Sequence, residues 1–148
     1  MHSCTVYKES ILACGTFSRG MLSKKCWSFN KDKGVEEKAD MKANHFSGAM
    51  VTVVENGVEL GALIAAGSQP RTGQVEFNTG VDWTVVAALP ITLSSLTMNY
   101  YEEGKKVFVF GGFNGKGSSK IGKTGVNTLV YINPRFSVYS IGGKWSAS

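Results

Sequence analysis

The chain predicts an all-β fold, an antiparallel β-sandwich or small barrel of about nine or ten strands. Three observations carry that expectation. Apolar and polar residues alternate over short runs; glycine is plentiful at 18 of 148 residues while proline is scarce at 3; and turn sequences such as Asn56-Gly57, Asn78-Thr79-Gly80 and Asn30-Lys31-Asp32-Lys33-Gly34 punctuate the runs. Short strands separated by turn signals about every 8–12 residues point to a sandwich or barrel.

The elements follow in order. Ser10 to Ser18 and Lys25 to Asn30 are apolar-aromatic runs bounded by Gly15, Gly20 and the turn ending at Gly34. In Val35 to Phe46, the residues Val35, Ala39, Ala43 and Phe46 fall on one stripe of a helix, so one short helix is expected near 35–46. Ala49 to Glu55 and Val58 to Ala66 flank Asn56-Gly57, the strongest short hairpin signal. Gln74 to Asn78 alternates, with Val75 and Phe77 on one face.

Val81 to Leu89 forms the next run, which Pro90 is expected to end. From Ile91 the alternation changes phase at Ser94-Ser95, the signature of a β-bulge, and continues to Tyr100. Val107 to Phe110 is apolar throughout, as for a strand covered on both faces. Asn127 to Ile132 and Arg135 to Ile141 are read as a last pair joined at Asn133-Pro134. The whole chain, 1–148, reads as one domain.

Apolar content of 43% is globular, and no apolar run approaches the roughly 18 residues of a membrane-spanning helix. Met1-His2-Ser3-Cys4 lacks the layout of a secretory signal, so a cytoplasmic or virion location is expected. Cys4, Cys14 and Cys26 form no Cys-x-x-Cys pair and are read as reduced thiols, with one or more buried.

Charge is divided along the chain. Met1 to Lys42 sums to +3, Ala43 to Glu103 to −5, and Gly104 to Ser148 to +7, for a net +5. Such a division suits a subunit that docks against copies of itself, with electrostatics orienting the contact. Association driven this way should weaken in salt. The basic patch comprises Lys105, Lys106, Arg135 and Lys144.

Gly117 to Thr124 matches the phosphate-loop pattern G-x-x-x-x-G-K-[ST]. A working loop needs a helix starting at the Lys-Thr pair and a later carboxylate to help hold magnesium. Here Gly125-Val126-Asn127-Thr128-Leu129-Val130-Tyr131 follows, which reads as strand, and no Asp or Glu occurs after Glu103. The segment is therefore read as a lysine-rich glycine loop, in which Phe113, Lys116, Lys120 and Lys123 are candidates for contact with a partner.

Catalytic patterns are sparse: there is no Gly-x-Ser-x-Gly, no His-Glu-x-x-His and no calcium loop, and His45 is read as a surface or half-buried residue. No catalytic residue, metal ligand or cofactor is assigned. The leading expectation is a non-enzymatic structural or assembly subunit, of virion or tail type, forming a homo-oligomer or larger assembly. Two alternatives stand beside it. One is a module binding glycan or lipid headgroups, or a membrane-active toxin, engaging its partner through Phe113, the tryptophans and the lysines. The other is a nucleic-acid binder with the lysines along phosphates and aromatic rings stacked on bases.

Overall fold

The structure, a computed structural model, describes residues 2–15, 17–18, 21–68, 72–113, 129–132 and 138–141. Among them the chain forms fourteen strands and no helix. The first six are β1 (Ser3–Tyr7), β2 (Ser10–Cys14), β3 (Phe17–Ser18), β4 (Met21–Leu22), β5 (Cys26–Asn30) and β6 (Gly34–Lys38). Then come β7 (Ala49–Glu55), β8 (Val58–Ala65), β9 (Thr72–Asn78) and β10 (Trp83–Leu93). The last four are β11 (Thr97–Tyr101), β12 (Lys106–Phe110), β13 (Leu129–Ile132) and β14 (Val138–Ile141).

Three four-stranded antiparallel sheets result, and none closes into a barrel. An N-terminal sheet has the order β1-β2-β5-β6, a central sheet β10-β9-β8-β7, and a C-terminal sheet β11-β12-β13-β14; β3 and β4 form a small separate hairpin. The Asn56-Gly57 hairpin stands as the sequence predicts, with Glu55 opposite Val58. Both turn residues have positive φ, 52° and 74°, the conformation a two-residue turn needs and these residue types supply.

The middle strands of the central sheet, β8 and β9, are buried on both faces over much of their length, and register assigns the side chains. Leu63, Ala65, Val51 and Val75 lie on one face and meet Met98, Val107 and Val109 of the C-terminal sheet. Met50, Ala62, Ile64 and Trp83 lie on the other and meet Tyr7, Leu12, Cys14 and Cys26 of the N-terminal sheet. Each fully buried Leu, Ile or Val contributes about 1.5–3 kcal/mol relative to exposure. This two-sided burial explains why the second half of β8, Gly61 to Ala65, carries no polar side chain.

Several expectations change. Where a helix was expected near 35–46, β6 occupies Gly34–Lys38 and an extended loop follows, because the turn from Asn30 aligns Val35 opposite Phe29. Pro90 does not end its strand: β10 runs through it, since β10 is an edge strand and the ladder is irregular between Ala88 and Leu93. Ser94-Ser95 is not a bulge in a continuous strand but the crossing from the central to the C-terminal sheet, where Ser95 has φ 54°.

β12 is covered on one face only. Val107 and Val109 are buried, whereas Phe110 is exposed. Cys14 and Cys26 are not reduced thiols but a disulfide, leaving Cys4 free and exposed. The two cysteines are direct cross-strand partners, and Gly15 N–H donates to Lys25 O one step beyond them. That pattern marks a non-hydrogen-bonded pair, where opposing residues approach most closely.

Candidate functional site

A cleft of about 190 Å³ opens where three hairpin tips converge. The first is the β1–β2 turn, Lys8-Glu9, whose residues both hold positive φ, 49° and 57°. Neither is Asn, Asp or Gly, so the turn stores strain, which surrounding bonds must hold in place. Lys8 N–H donates to the Glu59 carboxylate at 2.5 Å, and Asn30 Nδ2 donates to Glu9 O at 3.0 Å.

The second tip joins β5 to β6. Asn30 Oδ1 accepts from the amides of Asp32 and Lys33 at 2.9 and 3.0 Å, an Asx turn. The third joins β9 to β10, where Asn78 Oδ1 accepts from Gly80 N–H at 2.5 Å. Gly80 has φ 110°, which strains any other residue. Lys8 Nζ donates to Thr79 O at 3.3 Å and lies 5.1 Å from the Tyr7 ring centroid, so the ammonium closes one side of the cleft.

The cleft lies between the β9–β10 turn and the inner face of the N-terminal sheet. Its floor holds Tyr7, Leu12, Ser28 and Asn78; Lys33, Glu36 and Lys38 line it from the β6 side. Glu36 pairs with Lys38 at 2.6 Å, and hydrogen bonding to Lys38 holds its carboxyl below the ordinary value. Tyr7 is buried, and its hydroxyl has no hydrogen-bond partner. Among the described residues the other buried polar atom without a partner, Trp83 Nε1, belongs to the same core.

Next to this region the loop 39–48 is strapped down by a buried His45–Glu76 hydrogen-bonded pair. His45 and Glu76 are both fully buried, not surface or half-buried as expected for His45. His45 Nε2 lies 2.9 Å from Glu76 Oε1, and Nδ1 faces Ala66 O. Both ring nitrogens thus face oxygens, an arrangement that imidazolium beside a carboxylate satisfies. Glu76 also accepts from the Lys42 and Ala43 amides at 2.8 and 2.6 Å. Burial alone would raise its carboxyl; these hydrogen bonds and the His45 charge outweigh that and hold it below the ordinary value. The pair is closed off from solvent, so its chemistry is structural.

Of the candidate residues taken from the sequence, Lys105, Lys106 and Phe113 lie among the described residues. Lys105 pairs with Glu55, which raises its ammonium above the ordinary value through hydrogen bond and charge. Lys106 opens β12 opposite Tyr101. Phe113 is held by its backbone rather than displayed on a free loop: it exchanges two hydrogen bonds with Ser94 at 3.0 and 2.8 Å. Lys116, Lys120, Lys123, Arg135 and Lys144, with the phosphate-loop-like segment, lie outside the described residues.

The acidic middle is committed within the chain. Glu55 pairs with Lys105, Glu59 with the Lys8 amide, Glu76 with His45 and Asp82 with Lys42. Glu102 accepts from Gly57 N–H at 3.1 Å and Glu103 from the Tyr101 hydroxyl at 2.8 Å. All six of its carboxylates therefore have an internal partner.

Two exposed apolar surfaces went unread in the sequence. On the outer face of the N-terminal sheet, Val6, Ile11, Phe29 and Val35 are successive register partners across all four strands. They remain 61%, 51%, 44% and 63% exposed. On the C-terminal sheet, Tyr101, Phe108 and Phe110 form a ladder with ring centroids 6.5 and 6.2 Å apart. Among the described residues no helix is long and apolar enough to cross a membrane, and no group of three or more His, Cys, Asp or Glu is placed to hold a metal. No protein-family profile matches the chain, and no curated protein is similar to it.

Proposed function

We propose that the protein is a non-enzymatic assembly subunit that associates with copies of itself through the outer face of its N-terminal sheet. The observation that carries this reading is the Val6-Ile11-Phe29-Val35 row. An antiparallel sheet with one solvated face normally shows polar residues there. Here the row is unbroken over three inter-strand steps of about 4.8 Å each, and contiguous exposed apolar surface marks a contact site.

A second copy suits this face because the charges beside it are largely paired among themselves. Glu37, opposite Trp27 in the neighbouring row, pairs with Lys25, which also meets Asp40 at 3.5 Å. Two identical faces therefore meet with little like-charge repulsion, about one residual negative charge per copy, and a two-fold axis needs only one self-complementary patch. The aromatic ladder on the C-terminal sheet offers a second contact for growth beyond a dimer. With the six central carboxylates engaged internally, apolar burial rather than charge steering drives the association.

Light scattering of the parent and of Phe29→Lys tests this. The parent is expected to be dimeric or larger at low and high salt alike, and Phe29→Lys monomeric with unchanged circular dichroism. A parent that is monomeric at high concentration in both salts overturns the reading. Association abolished by salt returns the contact to the charge division along the chain.

A further inference from the structure

Of the polar atoms buried in the described residues, the Tyr7 hydroxyl is one of two with no partner, and Tyr7 is among the residues that line a cleft. Tyr7 is only 7% exposed, so its hydroxyl is covered in the free protein, and a ligand reaches it only once the neighbouring Lys8 side chain swings aside. A buried hydroxyl left unsatisfied costs about 1–3 kcal/mol, and a site that bears such a cost in the free protein can recover it on binding. The neighbouring strain has the same sense: Lys8 and Glu9 are held in a left-handed turn that few residues of their type adopt.

The chemistry of the cleft is one-sided. Its cationic side chains are Lys8, Lys33 and Lys38; its single carboxylate, Glu36, is already neutralised by Lys38. Lys33 makes no ion pair within 4 Å among the described residues, although its charge reaches Glu36, and Lys8 Nζ contacts a carbonyl rather than an acid. A Cβ on Gly80 would lie 2.8 Å from Lys8 Nζ and 3.5 Å from the Tyr7 hydroxyl, so these two donors sit side by side against the turn. A volume of about 190 Å³ equals roughly six waters at about 30 Å³ each, which limits the occupant to a small molecule.

We propose that this cleft binds a small oxyanion-bearing molecule, no larger than a monosaccharide, with its anionic group between Lys8 and Lys33 and one oxygen on the Tyr7 hydroxyl. Lys8 swings from Thr79 O to the ligand, and the Ser10 hydroxyl lies in the same wall, whereas Asn30 is occupied in holding the two turns. The occupant is recognised by charge and hydrogen bonds, unlike the apolar contact proposed for the opposite face of the same sheet, and the two sites are independent.

The test uses the whole protein and three probes: inorganic phosphate, glucuronate and glucose, followed by calorimetry and by chemical-shift changes at Lys8 and Gly80. Phosphate or glucuronate should bind and glucose should not, and which of the two anions binds more tightly separates a phosphate ligand from a carboxylate one. Tyr7→Phe is the decisive variant, since it removes only an atom that has no partner in the free protein. It should leave thermal stability equal or higher while weakening anion binding about tenfold, the loss of one hydrogen bond to a charged group. Lys8→Met should weaken it further. Binding of neither anion at millimolar concentration, equal binding of glucose, or equal affinity in Tyr7→Phe would each overturn the proposal.

Discussion

The two faces of the central sheet are built on different principles. Toward the C-terminal sheet the buried cluster is hydrocarbon: Leu63, Val75, Leu93, Val107 and their neighbours. Toward the N-terminal sheet the same strands bury Glu76 and Asn78, a disulfide, and two polar atoms without partners. The hydrocarbon side rests on volume and tolerates exchange of similar shapes. The polar side rests on specific partners, and removing one partner strands the others. The candidate ligand cleft opens on the polar side, where uncompensated donors are found.

The largest expected effect breaks the polar side. Glu76→Ala leaves His45 and the Lys42 and Ala43 amides without their acceptor, and should cost about 3–5 kcal/mol by denaturant unfolding. Leu63→Ala, its counterpart on the hydrocarbon side, should cost about 3 kcal/mol, from lost transfer energy and the cavity left behind. A larger loss at Leu63 than at Glu76 would reverse the contrast.

Replacing Cys14 and Cys26 together by Ala should cost about 2–3 kcal/mol, since the crosslinked residues are 12 apart and the closed loop is short. Mild reduction of the parent should produce the same change in unfolding midpoint. Acid should then separate the two faces. Because the folded Glu76 carboxyl is depressed, its contribution is whole above the unfolded value near 4.5 and is lost as pH falls through the lower folded value. Unfolding at pH 7, 5 and 3 should show more acid sensitivity in the parent than in Glu76→Gln. Smallest of all, Asp82→Asn at the exposed Lys42 pair should leave stability unchanged within error.

What the sequence disclosed follows from how local each feature is. The β7–β8 hairpin was legible because Asn56-Gly57 encodes its own turn, and β9 because Val75 and Phe77 alternate with Gln74 and Glu76. The β1–β2 hairpin was not, because Lys8-Glu9 is held in its turn by Glu59 and Asn30 rather than by its own preferences. Val35 in β6 and Ala39 just beyond it also fit a helical stripe, and pairing of β6 with β5 decides the matter.

The cleft was invisible for a further reason. Its donors come from positions 7–10, 28–38 and 78–81, each unremarkable alone, whereas attention fell on the denser lysines near the C-terminus. The disulfide was hidden because its register depends on the β3–β4 excursion between the cysteines.

Each four-stranded sheet also draws its strands from one part of the chain, and the N-terminal one is made first in synthesis. Cys14 and Cys26 become cross-strand neighbours as soon as β2 meets β5, with nothing beyond residue 38 required. Cys4 is then the competing thiol, only one strand away. Its register partner is Ala13, not Cys14, so the pleat turns it to the opposite side of the sheet. The alternation of a five-residue strand thus acts as proofreading for oxidation: it admits one pairing of three thiols and rejects the rest before the covering sheet exists.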